Sequence, residues 1–471
     1  MKNLAYKIAL LAILLAGTTS CESFLDREPT MTISKSEMFK DIDGLNYATI
    51  GLYSSFASFY NGPFIPYSEC RSGNLRLAKT MTAAYSSRMQ PSYEFKNMYD
   101  DTSDGTNGFY GELYEMLNQA NDIIVACNTN SYANTAEKDR CYGEALFFRA
   151  LLHFSLCNLY VQPYIASNLG NIPAIVLMDK PIEMFSYLTR SKLYKVYDQI
   201  IADLKKAELL LANNSRTTGI KQAWVSQAAA QALLARVYLY KNDWKNAVVY
   251  SNKVIANSSF GLATNAEYES YWKSTSASNE DIMIVDLSNI NSRIISTYYG
   301  IPDTEKSVYF CVSKDLKKLY SDTDVRSKLI VPLPGDIRDT VTTKYKSLGI
   351  KERYMSLFRM SEMYLIRAEA SAEDADVVQA RSDLNTIRQR ADVGAPTISL
   401  SGQALIDAIM VEKRKELAFE GHTYYDFIRK GKGITRTDYN GVDNKDVPFP
   451  SEKLILPFPK SAVEHNPNLK F

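Results

Sequence analysis

The chain of 471 residues holds only three histidines, His153, His422 and His465, scattered along its length. That scarcity leaves little for a histidine-built metal centre, and no HExxH or GxSxG pattern occurs. Net charge is missing too: 54 Lys+Arg stand against 53 Asp+Glu, a formal +1. A nucleic-acid binder normally carries a clear basic excess, so this balance argues against one. With 46% hydrophobic and 23% charged residues, the chain is not a disordered acidic tail either. Beyond the N-terminus no apolar run approaches the roughly 18–20 residues of a membrane-spanning helix. After Cys21 come Cys70, Cys127, Cys141, Cys157 and Cys311, an odd number with no CxxC pair. Cys127, Cys141 and Cys157 fall in helical apolar patterns, so these thiols read as small core residues. No metal and no cofactor is expected. One residue type is in surplus: 32 Tyr against 19 Phe. Tyrosine supplies an aromatic face where a hydroxyl must also be satisfied.

The N-terminus sets the compartment. Lys2 and Lys7 precede an unbroken apolar run from Ile8 to Ala16, then Gly17, Thr18, Thr19, Ser20 and Cys21. The run is too short to span a bilayer but fits a signal h-region. The pattern resembles a bacterial lipoprotein signal, with Thr18 where leucine is usual. Residues 1–20 are read as the signal peptide, Cys21 as the lipidated residue and 21–33 as a tether. Loss of Lys2 and Lys7 leaves 52 basic against 53 acidic residues, so attachment rests on the lipid and not on charge.

Ser34 and Glu37 form a capping box before Met38, and the spacing predicts a helix from there to about Phe59. Residues 60–108 read as a long loop-rich segment, with Tyr60, Tyr67, Tyr85, Tyr93 and Tyr99 among prolines and glycines. Helical periodicity covers 109–128, 137–160 and 193–211. Residues 222–240 and 243–257 are helices joined only by Lys241 and Asn242, hence antiparallel. Their Leu234, Ala235, Tyr238, Trp244 and Ala247 have spacings that resemble a tetratricopeptide repeat. Residues 355–373 and 376–390 form a second such pair, and 405–420 a further helix. Residues 258–350 are irregular, with short strands at 281–287, 308–312 and 329–333. Tyr268, Tyr271, Trp272, Tyr298 and Tyr299 lie in and around them.

Candidate chemistry is sparse. His153, flanked by Phe and Leu, reads as a helix-packing residue. Asp100–Gly105 resembles the start of an EF-hand loop, but its twelfth position is Gly111, so it reads as a polar turn. Gly431 and Gly433 read as a helix stop. No two acids are marked out as a hydrolytic pair. The aromatic segments point elsewhere. Sugar rings present C–H faces that pack on aromatic rings while polar side chains bond the hydroxyls. Arg71 with Asn74, and Asn291 with Arg293, stand beside aromatics as hydrogen-bonding partners.

The segments Cys21–Asp26, Glu144–Phe154, Gly170–Pro173, Asp203–Ala207, Ala229–Tyr240, Phe358–Ala370, Leu384–Arg388, Glu412–Gly421, Tyr425–Arg429, Leu456–Pro459 and Asn466–Pro467 follow one another in an order that is itself a signature. Taken together they resemble the SusD/RagB family of Bacteroidetes outer-membrane lipoproteins, and the resemblance covers nearly the whole chain. His422 stands where many relatives have Arg, and Tyr425 where Trp is common. Arg414, Glu416, Glu420, Asp426 and Arg429 are read as a paired charge network, not a site.

The resemblance implies a mainly α, SusD-like domain over 34–471. It would have about four tetratricopeptide-like helix pairs, irregular ligand-binding segments near 60–108 and 258–350, and a few short strands. It implies a non-enzymatic cell-surface protein held in the outer membrane by a lipid, facing outward. Such a protein captures oligosaccharides and passes them to a SusC-like TonB-dependent transporter, opening as a lid. Peptide capture of the RagB type is the alternative, and a surface glycoside hydrolase the third reading. Ligand contacts are expected at Tyr67, Arg71, Asn74, Tyr271, Trp272, Arg293, Tyr298 and Tyr299.

Overall fold

Helices with one apolar face must bury it against a neighbour, and the short links in this sequence make that neighbour the next helix. A computed structural model shows how this is done. It describes residues 33–79, 89–96, 106, 108–183, 186–288, 294–301, 308–334, 336–345, 347–348, 351–352 and 354–470. Cys21, Asn291, Arg293 and the turn at 100–105 lie outside the described residues.

The single helix expected up to about Phe59 is two. In α1 (Lys35–Met38) the Ser34 hydroxyl accepts the Glu37 N–H at 3.2 Å. A second cap then restarts the chain: Asp41 accepts the Gly44 N–H at 2.9 Å and opens α2 (Ile42–Tyr60). The segment read as a loop from 60 to 108 contains α3 (Phe64–Arg71). Pro66 falls in its first turn, where a missing N–H costs no helical bond.

The frame continues with α4 (Gly108–Thr129), α5 (Thr135–Tyr160), α6 (Leu193–Leu210), α7 (Gln227–Tyr240) and α8 (Trp244–Ile255). Then come α9 (Tyr268–Lys273), α10 (Ile294–Tyr299), α11 (Lys314–Lys317), α12 (Met360–Glu373) and α13 (Val377–Ala391). The last are α14 (Gly402–Glu416), α15 (Thr423–Arg429) and α16 (Lys460–His465). Four pairs pack side by side: α2 with α4, α5 with α6, α7 with α8, and α12 with α13. The α7–α8 link turns through Asn242 at φ 62°, a left-handed conformation that asparagine tolerates.

From Cys141 to Tyr160 almost every α5 side chain is buried, since α2, α4 and α6 all pack on it. Buried ion pairs fix these contacts. Arg149 holds both Asp203 oxygens at 2.7 Å, joining α5 to α6. Arg236 holds both Glu362 oxygens at 2.6 and 2.8 Å, joining α7 to α12. His153 is buried and accepts the Met178 N–H at 3.2 Å, in keeping with a packing role. Cys70, Cys127, Cys141, Cys157 and Cys311 are all buried, and no disulfide joins them.

The irregular half carries β1 (Leu75–Leu77), β2 (Asp281–Val285), β3 (Phe310–Val312), β4 (Ile330–Leu333), β5 (Asp336–Thr342), β6 (Ser347–Leu348), β7 (Lys351–Glu352) and β8 (Met355–Arg359). They pair antiparallel as β1–β3, β2–β8, β4–β5 and β6–β7. The helix expected from 355 is therefore a strand leading into α12, because Met355–Arg359 finds β2 as a partner. No helix among the described residues is long and apolar enough to cross a membrane.

Candidate functional site

Tyr67, Arg71 and Asn74 follow one another along α3 and the turn after it, and all three are buried. The Arg71 guanidinium lies 4.0 Å from the Phe95 ring centroid, 4.8 Å from Tyr67 and 5.1 Å from Tyr424. It donates to the Ser92 carbonyl at 3.4 Å and to the Lys453 carbonyl. Asn74 donates to Glu69 at 3.2 Å and Thr423 at 3.1 Å, and accepts from Arg414 at 2.8 Å. These side chains bind α3 to the C-terminal segment.

Tyr271 and Trp272 sit on α9. Trp272 is 1% exposed, with the Lys344 ammonium 4.2 Å from its ring centroid and Arg359 at 5.4 Å. Tyr298 and Tyr299 end α10. Tyr298 stacks on Tyr309 at 5.0 Å, and Tyr299 donates to the Phe419 carbonyl at 3.1 Å. Both are buried. Tyr67, Arg71, Asn74, Trp272, Tyr298 and Tyr299 are thus all packed within the fold. A tyrosine hydroxyl can be satisfied there. Tyr354 donates to Asp281 at 2.7 Å, Tyr320 to the Lys415 carbonyl at 2.9 Å, and Tyr268 to Glu416 at 3.3 Å.

Tyr271 is buried as well, at 5% exposed, and its hydroxyl donates to Asp281 at 2.8 Å, but it is among the residues that line an open cleft of about 510 Å³. Glu267, Ser270, Ser278 and Asn279 share that cleft, and Asn279 is exposed. These polar residues are not legible in the sequence because they are spread over α9 and the segments flanking it and form no motif. An aromatic edge beside amide, hydroxyl and carboxylate groups suits a polyhydroxylated ligand.

Beneath the cleft lies the charge network. Glu416 accepts from Arg359 at 2.6 Å, Arg390 at 2.7 Å and Arg326 at 3.0 Å. Glu420 accepts from Arg359 and Lys344, each at 2.7 Å. Burial opposes charge on Glu416, yet Arg390, Arg359 and Arg326 together hold its carboxyl well below the usual range. On α15, Asp426 and Arg429 join Glu369 and Lys413 in a second buried cluster. Arg414 pairs instead with Asn74 and the Gly73 carbonyl. These carboxylates are engaged by arginine and lysine, so they fix helices and are poor general acids. No group of three metal-ligating side chains occurs among the described residues.

Glu69 differs from Glu416 and Glu420. Burial pushes its carboxyl up to about 7, against the Gly421 N–H and Asn74 amide that favour the anion. Unfolded, the group titrates near 4.5, so between about 4.5 and 7 the folded chain binds more proton. The associated stability is complete below about 4.5 and is lost as pH rises through about 7. Glu69→Gln is expected to remove that slope. Relative to the parent it should gain roughly 3 kcal/mol between about pH 4 and about pH 8 in urea unfolding. The same pH slope in parent and variant would clear Glu69 as its source.

Two family models match the chain. One described as "Starch-binding associating with outer membrane" matches residues 24–239, and a SusD family model matches 264–470. A SusD-like protein P2 of Formosa agariphila is 26% identical over 98% of both chains. A SusD-like protein of Bacteroides ovatus is 24% identical over 91% of this chain and 82% of its own. Among solved structures, a SusD superfamily protein from Bacteroides thetaiotaomicron aligns with a TM-score of 0.81 at 23% identity, over 91% of this chain and 99% of that one. A laminarin-binding SusD-like protein aligns at 0.74 and 20% identity, over 91% and 98%.

Proposed function

Because the chain belongs to the SusD/RagB family, we propose that it captures an oligosaccharide at the cell surface and hands it to a SusC-like TonB-dependent transporter. The observation that carries this reading is the pair of family models, which together span the helical frame and the irregular half. The laminarin-binding neighbour supports a sugar as the ligand class. In this reading Cys21 carries the lipid that holds the protein to the outer membrane. No bond is broken: the protein binds, and its movement over the transporter releases the ligand.

The cleft beside α9 is the proposed contact surface, with Tyr271 as the aromatic residue in its wall. Tyr271→Ala is expected to weaken glycan binding by about 1–3 kcal/mol, the range of aromatic stacking measured on nucleobases. Tyr271→Phe keeps the ring and should bind nearly as well as the parent. Calorimetry with laminari-, malto-, xylo- and manno-oligosaccharides tests both. Binding of peptides with no response to any glycan would end the sugar reading. Release of shortened products from a bound oligosaccharide would show an enzyme instead.

A further inference from the structure

A groove of about 470 Å³ is lined by α2, by the turn before α7 and by β2 with the residue after it. The sequence reading places Trp224 inside a helix beginning at 222. In the structure that helix starts at Gln227, and Trp224 stands in the preceding turn, half-buried, on the wall of the groove.

Its position is fixed by three partners. The indole N–H donates to the Thr218 carbonyl at 2.7 Å. The Arg216 guanidinium, itself held by both oxygens of Glu144, lies 5.0 Å from the ring centroid. The Tyr53 ring meets it at 4.9 Å and 84°, and the Tyr53 hydroxyl is tied to the Val225 N–H at 2.9 Å. A tryptophan so held loses little freedom when a ligand stacks on it.

The remaining walls are mixed. Ile50 and Ile220 form an apolar lip. Ser54 and Ser58 are exposed on α2, and their hydroxyls make no hydrogen bond among the described residues. Asp286 offers a carboxylate, of which one oxygen accepts the Ser288 N–H at 2.9 Å. The volume falls in the range of small-molecule sites. A rigid aromatic face with hydroxyls and a carboxylate around it matches a pyranose ring, whose C–H face is apolar and whose rim is all hydroxyl. A purely apolar ligand would leave Asp286 and both serines without partners.

We infer that this groove is a second saccharide subsite, separate from the α9 cleft, in which one pyranose unit of a glycan stacks on Trp224. The inference takes its ligand class from the proposed function and its location from Trp224. A chain long enough to occupy both sites gains avidity without a new contact type.

The test uses the full-length protein and the same four oligosaccharide series. Trp224 is one of three tryptophans, so its indole N–H gives one of three side-chain signals in ¹⁵N-labelled protein, identified by its loss in Trp224→Ala. Expected results are a shift of that signal on adding the glycan that binds, and affinity about tenfold or more weaker in Trp224→Ala. Ser54→Arg fills the groove from an exposed helix position, so it should weaken binding without harming the fold. If the parent binds a glycan while both variants bind it as well as the parent, and Tyr271→Ala does not, this subsite is refuted and the proposed function stands. If the parent binds none of the four series, both readings fall together.

Discussion

Glu416→Ala is expected to destabilise the fold by about 3–5 kcal/mol, read as a lowered urea midpoint. Glu416 is wholly buried and receives Arg359, Arg390 and Arg326. Removing it leaves three guanidinium groups in a place where water does not reach. Their other partners, Glu280 and Glu420 for Arg359, Glu280 for Arg390, and Asp324 and Glu412 for Arg326, already carry close contacts of 2.6–3.2 Å. They cannot also take up the freed charge without moving. A loss below about 1 kcal/mol would mean that the network re-pairs, and that Glu416 is dispensable. Replacing the whole cluster by apolar residues is a different experiment, which can be neutral, because it removes the charges along with their partner.

Trp272→Ala should cost about 3–5 kcal/mol of stability through the cavity it opens. It should leave the glycan affinity of the molecules that remain folded unchanged. The ring fills a cluster with Tyr268, Tyr271, Val325 and Leu329, and Lys344 sits over its face. Burial already lowers the Lys344 pKa, so losing the ring leaves an ammonium beside a void. Thermal unfolding and calorimetry on the same sample separate the two effects. A Trp272→Ala protein as stable as the parent but unable to bind would place this ring on the ligand surface.

The helical frame was legible because its signal is local. Leu193, Val196, Ile200 and Leu204 mark α6 by spacing alone, and Lys241–Asn242 forces α7 and α8 together. The strand β8 was not legible: Met355–Arg359 runs straight into a helical pattern, and only pairing with β2, some seventy residues earlier, makes it extended. The site was harder still. Tyr67, Tyr271 and Tyr299 share residue type and a Pro/Gly-rich or irregular setting, and all three are buried, Tyr271 in the wall of a cleft. What separates them is where each hydroxyl finds its acceptor, and for Tyr299 that acceptor is Phe419, far along the chain. Trp224 was hidden for a related reason. Its neighbours Ala223 and Val225 continue a helical apolar pattern, and the turn shows only once Ser226 caps α7.

The bonds from α3 to the end of the chain have a consequence in time. Arg71 waits for Tyr424 and Lys453, Glu69 for Gly421, and Asn74 for Thr423 and Arg414. Until the last fifty or so residues are made, these early side chains are polar groups with nothing to bind, and α3 cannot settle. The frame helices from α4 to α6 need no such delay, since each packs on the next in sequence, whereas α7 and α8 pair with each other and also wait for α12. Assembly should therefore begin in the middle and close last at the seam between the two ends, a long-range step that sets the pace. A chain truncated before Tyr424 would hold its helix pairs and still lack a finished molecule.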